Sequence, residues 1–227
     1  MSVPIVEVNI LSPSVYRKPD DLPDQIPLFP LSGAILFPRG TLPLNVFEPR
    51  YLNMIDDAMS GSRLIGMIQP RADAHDDDPP PLSDVGCVGR ITSYSETEDG
   101  RYLIILTGVS RFKLLEEADV QLPYRMAEAD FHAFGDDLKA SPAHETCDRA
   151  SLLDALRAYL DKRDLNADWS AVSDAPMETL INALAAGCPF SNAEKQALLE
   201  AEALRDRCDA LVALLNMGAT GDEGWIQ

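Results

Sequence analysis

"IPLFPLSGAILFPRGTLPLNVFEPRY", residues 26–51, is strongly apolar yet carries proline at positions 27, 30, 38, 43 and 49. A continuous helix is excluded, because each internal proline removes a backbone donor and clashes with the preceding turn. A regular central strand is disfavoured by the same loss of donors. The apolar pieces between prolines are short: "LFPL" (28–31), "AILF" (34–37) and "TLPLNVF" (41–47). Bounded by Pro and Gly, they predict strands that enter and leave a sheet at bends. Pro49 then falls where proline is welcome, in the first turn of a helix. Behind it Tyr51, Met54, Ile55, Ala58 and Met59 line one apolar face, and Gly61 ends the helix.

Upstream, residues 1–25 contain Pro4, Pro13, Pro19 and Pro23 and predict an extended arm. Downstream, "RLIGMIQ" (63–69) predicts a buried strand, and "PRADAHDDDPPPLSD" (70–84) a polar, proline-dense loop. "GCVGRITSYSE" (86–96) and "RYLIILTG" (101–108) are joined by "TEDG", whose Asp-Gly is a strong hairpin signal. A second turn is expected at Gly108, then a strand "SRFKLLEE" (110–117) and a last one in "YRMAEADF" (124–131). Residues 26–133 thus read as a small, partly closed barrel with one helix.

Gly135, Pro142 and several alanines mark residues 134–146 as a linker. Helical periodicity fills 147–218, with a tail at 219–227. Leu152, Leu153, Leu156, Tyr159 and Leu160 share one face. Pro176 opens a second helix striped by Met177, Leu180, Ile181 and Leu184 and closed at Gly187. Ser191 and Glu194 form a capping box for a third. There Ala197, Ala201, Leu204, Cys208, Leu211 and Leu215 make a seam of alternating four- and three-residue steps, the face of an intramolecular bundle. The fold class expected is α+β: a barrel, then a helical bundle.

Nineteen basic against thirty-seven acidic side chains give a net charge of −18 on 227 residues. Phosphate backbones and anionic lipid heads would be repelled, so neither nucleic acid nor membrane is an expected partner. Cys87, Cys147, Cys188 and Cys208 form no C-x-x-C pair and sit among apolar neighbours. They read as small buried hydrophobes in a reducing compartment. The first residues lack the pattern of a signal peptide, and no apolar run approaches the ~20 residues of a membrane span. A soluble, cytoplasmic protein is expected.

Catalytic signatures are missing from the sequence: there is no P-loop pattern and no G-x-S-x-G. His75, His132 and His144 stand apart from one another. The "HDDD" run (75–78) reads as a solvated charge run ahead of a cation site, for want of a calcium loop's spacing. No catalytic residue, metal or cofactor is therefore expected. The candidate partner-binding residues are Phe47, Glu48, Arg50 and Tyr51, in the densest mixed cluster, with Arg111 and Phe112 after the Gly108 turn. For each a structural role competes: Arg50 pairing with Glu48, Phe112 filling the core. Trp225, in the tail, reads as docked on the fold or as part of a contact.

The order of these motifs resembles the Lon protease N-terminal, or substrate-binding, domain. The opening stretch is similar to that family's start: a Pro-x-Phe-Pro strand, a small-residue turn, a Phe-Pro strand end, Leu-Pro-Leu and Glu-Pro-Arg-Tyr. "GCVGRITSYSETEDGRYLIILTGVSRFKLLEE" (86–117) and "PYRMAEADF" (123–131) follow in register, and the resemblance spans about residues 26–217. It implies a PUA-like pseudo-barrel followed by a helical bundle. It also implies a role in recognising unfolded or tagged polypeptides. The ATPase and Ser-Lys peptidase modules of the protease are not found in the 227 residues, so neither activity is carried over. The chain looks like the stand-alone Lon-domain proteins of bacteria.

The function expected is a non-catalytic protein-binding module. It would take unfolded or client polypeptides, or act as an adaptor with a protease or chaperone. The alternatives are an RNA-binding PUA-like protein, and a metal-dependent enzyme using acidic side chains of the 73–84 loop with Glu48. Oligomeric state is left open by the sequence.

Overall fold

The computed structural model describes residues 16–71, 79–139 and 148–220. The chain divides into two compact units, the first ending at Ala140 and the second starting at Ser141.

The first unit is built on a six-stranded sheet. Its strands are β1 (Gln25–Pro30), β2 (Thr41–Val46), β3 (Leu64–Ile68), β4 (Val85–Glu96), β5 (Tyr102–Glu117) and β6 (Arg125–Asp130). β1 runs parallel to β3, with Leu28 opposite Gly66; the other pairings are antiparallel. The order is β2-β5-β4-β3-β1-β6, and β6 also pairs with β5. That last pairing closes β5, β4, β3, β1 and β6 into a barrel and covers the outer edge of β6, while β2 stays at an edge. Ile26, Leu28, Leu64, Val88, Phe112, Ala127 and Phe131 fill the barrel.

Helix α1 (Pro49–Ser60) begins at its proline and is capped at Gly61. It buries Tyr51, Met54, Ile55 and Ala58, the face its spacing predicts. The hairpin at "TEDG" also forms: Gly100 has φ +77°, its N–H donates to Thr97 O, and the Thr97 N–H donates to Arg101 O.

Gly108 does not turn the chain. β5 continues through it and changes its neighbour there: residues 102–107 pair with β2, and residues from Lys113 onward pair with β6. Val109 is left over between the pairs Val88–Ser110 and Gly89–Gly108, a bulge that bends the strand at the changeover. Glycine is required for a different reason. The loop 37–40 crosses here, with the Arg39 N–H donating to Gly108 O and the Gly108 N–H to Gly40 O, each at 2.8 Å. A Cβ at position 108 would lie 2.0 Å from Phe37 O.

"AILF" is likewise not a strand. Residues 34–37 lie outside the strands, yet Ile35, Leu36 and Phe37 are buried. Leu36 lies against the backbone of β4 and β5, where Gly89 and Gly108 leave room for it. Apolar patterning reports burial, and here a loop is buried.

Residues 16–24, expected in an extended arm, pack on the barrel: Leu22 is in the core, and Arg90 Nη1 donates to the Tyr16 hydroxyl at 3.1 Å. At the other end a 3₁₀ turn over His132–Leu138 buries Phe134 and Asp137, both expected in the linker. The "HDDD" run, Cys147, most of the linker and Trp225 lie outside the described residues.

The second unit holds α2 (Arg149–Lys162), α3 (Trp169–Asp174), α4 (Met177–Gly187), α5 (Asn192–Glu200) and α6 (Leu204–Thr220). Asp148 and Asp168 accept backbone N–H bonds at the starts of α2 and α3, and the Ser191–Glu194 capping box opens α5. Leu152, Leu156, Tyr159, Leu180, Ile181, Leu198, Leu211 and Leu215 form its core. The seam expected on one helix is shared by two, because the chain leaves the helix at Ala201 and re-enters it at Leu204. Buried Arg207 bridges that break, donating from Nε to Leu198 O and from Nη1 to Asn182 Oδ1, each at 2.9 Å. Cys87, Cys188 and Cys208 are buried, as expected of small hydrophobes, but Cys208 is disulfide-bonded and not the plain thiol that reading implied. No helix among the described residues is long and apolar enough to cross a membrane.

Candidate functional site

The six candidate residues do not form one site. Arg111 and Phe112 belong to the interior: Phe112 is wholly buried, and Arg111 is held in an ion pair with Asp137 at 2.9 Å. Tyr51 is also buried, its ring stacked on Phe29 at 4.1 Å between centroids. Burial raises its phenol pKa above the usual value. Arg50 lies on the surface, paired with Glu48 at 2.8 Å and with its guanidinium 4.6 Å over the Tyr51 ring. Phe47 alone is a large exposed apolar group, 61% accessible, with Arg101 5.9 Å from its ring centroid.

The described residues of the first unit line, among others, two surface depressions. One, of about 380 Å³, sits between Arg50, Tyr51, Tyr124 and Arg125 among several prolines. Its polar groups are largely satisfied within the fold. The Tyr124 hydroxyl donates to Asp57 Oδ2 at 2.7 Å, while Arg125 pairs with Glu117 and donates to Pro80 O. Burial, then that bond to a carboxylate, push the Tyr124 phenol up to about 12.

The other, of about 490 Å³, lies on the outer face of β2, β5 and β4. Register places Leu103 beside Asn45 and Ser95, and Ile105 beside Pro43 and Ser93. Side chains alternate along a strand, so these six share one face, with Ile104 and Leu106 turned into the core. Leu103 is 45% and Ile105 38% accessible. No residue lining this depression is charged, on a chain of net charge −18.

This face escapes sequence reading because "LIIL" (103–106) is apolar on both faces of its strand and looks fully buried. The serines opposite, at 93 and 95, are the signal that one face is open. The arrangement offers apolar contact ringed by two hydroxyls and an amide. Among the described residues no group of three or more His, Cys, Asp or Glu side chains is placed to hold a metal ion.

Residues 25–217 match the profile of the ATP-dependent protease La (LON) substrate-binding domain. The chain belongs to this family. The LON domain seen here is similar over 215 residues, at 26% identity, to the Lon protease of Anaeromyxobacter dehalogenans, covering 91% of this chain and 25% of that protein. Over 96 residues it is 33% identical to the Lon protease of Desulfosudis oleivorans, covering 41% of this chain and 12% of that one. The chain thus spans a quarter or less of these relatives. Two solved structures share the fold. The Lon N-terminal domain protein from Xanthomonas campestris has a TM-score of 0.58 at 20% identity, covering 83% of this chain and 97% of its own. The N-terminal domain of the Mycobacterium avium complex Lon protease has a TM-score of 0.59 at 16% identity, covering 84% and 97%. The matching profile is described as the substrate-binding domain of that protease.

Proposed function

We propose that this protein is a non-catalytic polypeptide-recognition module that binds unfolded or client chains as an adaptor in protein quality control. The observation carrying this reading is the family match across residues 25–217, which includes both units. An exposed apolar, uncharged face on β2, β5 and β4 offers a surface for such contact. The charge of −18 disfavours a nucleic-acid partner and favours basic polypeptides.

The test mixes the purified protein with a reduced, unfolding polypeptide, followed by gel filtration and light scattering. Co-migration with the client, or suppression of its aggregation, is expected. No effect on basic and neutral clients alike would sink the proposal. The purified protein is also expected to hydrolyse neither ATP nor casein.

A further inference from the structure

We infer that the depression between the start of α1 and β6 is a binding site for one carboxylate carried on a compact apolar group, held by Tyr51, Arg50 and Arg125. The pocket shares no lining residue with the face on β2, β5 and β4, and it would hold its ligand with or without polypeptide clients.

The Tyr51 hydroxyl marks the site. Tyr51 lines the pocket and is only 7% exposed, yet its hydroxyl makes no hydrogen bond with any described residue. A buried phenol ordinarily finds a partner. Tyr124, on the same wall, has one in Asp57. Phe29 stacks on one face of the Tyr51 ring and the Arg50 guanidinium lies over the ring as well. With both faces covered, the hydroxyl edge is what the ring offers to the pocket.

Two cations stand beside that hydroxyl. Burial raises the Tyr51 phenol above its ordinary pKa, so it is a donor at neutral pH, and the charges of Arg50 and Arg125 act on it in the opposite sense. Neither guanidinium is used up. Arg50 directs Nε and Nη2 at one oxygen of Glu48, while Arg125 engages both oxygens of Glu117 and gives Nη1 to Pro80 O. An arginine carries five N–H donors, so each keeps some for a ligand.

The surroundings choose the ligand. Pro30, Pro70, Pro80 and Pro123 form much of the wall; lacking N–H groups, they present apolar rings and leave an anion to the side-chain donors. Glu48 and Glu117 already balance the two arginines, and the chain carries −18, so a monoanion is favoured over a phosphate dianion. A carboxylate matches the guanidinium fork. The volume of about 380 Å³ is at the small end of ligand sites, which run from about 300 to 1,000 Å³, and suits one apolar group behind the carboxylate. Two sources share this chemistry: a free small organic acid, and the carboxyl end of a chain whose last residue is apolar.

The test is a ligand-detected NMR titration of the 227-residue protein. The probes are 4-methylpentanoate, its amide, and the peptide Ser-Gly-Ser-Gly-Leu with a free or an amidated end. Each acid is expected to bind about tenfold tighter than its amide, or more. A peptide acid about tenfold tighter than 4-methylpentanoate assigns the pocket to chain ends; equal or weaker binding assigns it to free small acids. Y51F should lose about tenfold in affinity with its melting temperature unchanged, because the hydroxyl has no partner in the fold to lose. R125K, which keeps the charge without the fork, should lose a similar factor. E48Q, which releases Arg50 from its ion pair, should bind more tightly than the wild type. Amides that bind as well as the acids would overturn the inference. So would unchanged affinity in both Y51F and R125K, or no binding of either acid at millimolar concentration.

Discussion

Arg111 and Asp137 meet in a buried two-point ion pair: Nε donates to Oδ2 and Nη2 to Oδ1, each at 2.9 Å, with side chains 5% and 9% exposed. The Arg111 backbone N–H also donates to Oδ2, and its guanidinium lies 4.3 Å over the Phe134 ring. The pair ties β5 to the 3₁₀ turn after β6, so the barrel unit needs residues well beyond its last strand. Removing one partner strands a buried charge, which costs about 3–5 kcal/mol. Asp137→Asn is therefore expected to lower unfolding stability by that amount in urea titration. The double change Arg111→Met with Asp137→Leu should cost less than Asp137→Asn alone. A loss under about 1 kcal/mol in D137N would show that the pair is not the anchor.

Gly108 and Gly100 separate two reasons for glycine. At 108 an added Cβ meets a backbone carbonyl at 2.0 Å, while at 100 it meets nothing within 4 Å but the φ is +77°. Gly108→Ala should lose on the order of 4 kcal/mol or fail to fold, because backbone rather than a mobile side chain must shift. Gly100→Ala should lose about 1–2 kcal/mol, the cost of a left-handed residue with a Cβ. Equal losses in thermal melts would contradict the crossing of loop 37–40 over β5.

Tyr124 sets a pH dependence. Its ordinary pKa of 10 is pushed up to about 12 because burial and the bond to Asp57 favour the neutral phenol. That contribution to stability is whole below pH 10 and is lost as pH climbs from 10 to 12. The melting-temperature gap between wild type and Tyr124→Phe should accordingly shrink across that window, the other tyrosines being common to both proteins. A gap that holds constant from pH 8 to 11.5 would refute it.

In the second unit, Arg149 holds α3. Its guanidinium donates to Ala175 O, Val172 O and Ser173 O at 3.0, 2.7 and 2.8 Å, gathering the carbonyls at the end of a six-residue helix. So short a helix does not persist unaided. In Arg149→Met, native-state hydrogen exchange should show α3 opening more easily by about 1.5–3 kcal/mol, with α6 unaffected.

Much of this fold is legible in the sequence where one local rule acts alone. Pro49 and Gly61 bound α1, Asp99–Gly100 makes the hairpin, and Ser191 with Glu194 starts α5. Failures occur where a residue answers to something distant. Gly108 looks like a turn but is cut to fit the Phe37 carbonyl, and Phe134 and Asp137 look like linker but serve Arg111. The seam through Ala197–Leu215 keeps its period across a break in the helix, so periodicity does not reveal it. Among the candidate site residues, Phe47, Glu48 and Arg50 reach the surface, while Arg111 and Phe112 are interior. Leu103 and Ile105 became visible as a surface once strand pairing set which face of β5 is covered.

The proposed role is tested most directly by methyl NMR of the full-length protein, labelled at Ile, Leu and Val and titrated with an unfolded peptide that alternates Leu with Ser. Shifts and intermolecular contacts are predicted at Leu103 and Ile105. An unperturbed spectrum at saturating peptide, or changes confined to methyls of the second unit such as Leu211 and Leu215, would contradict it.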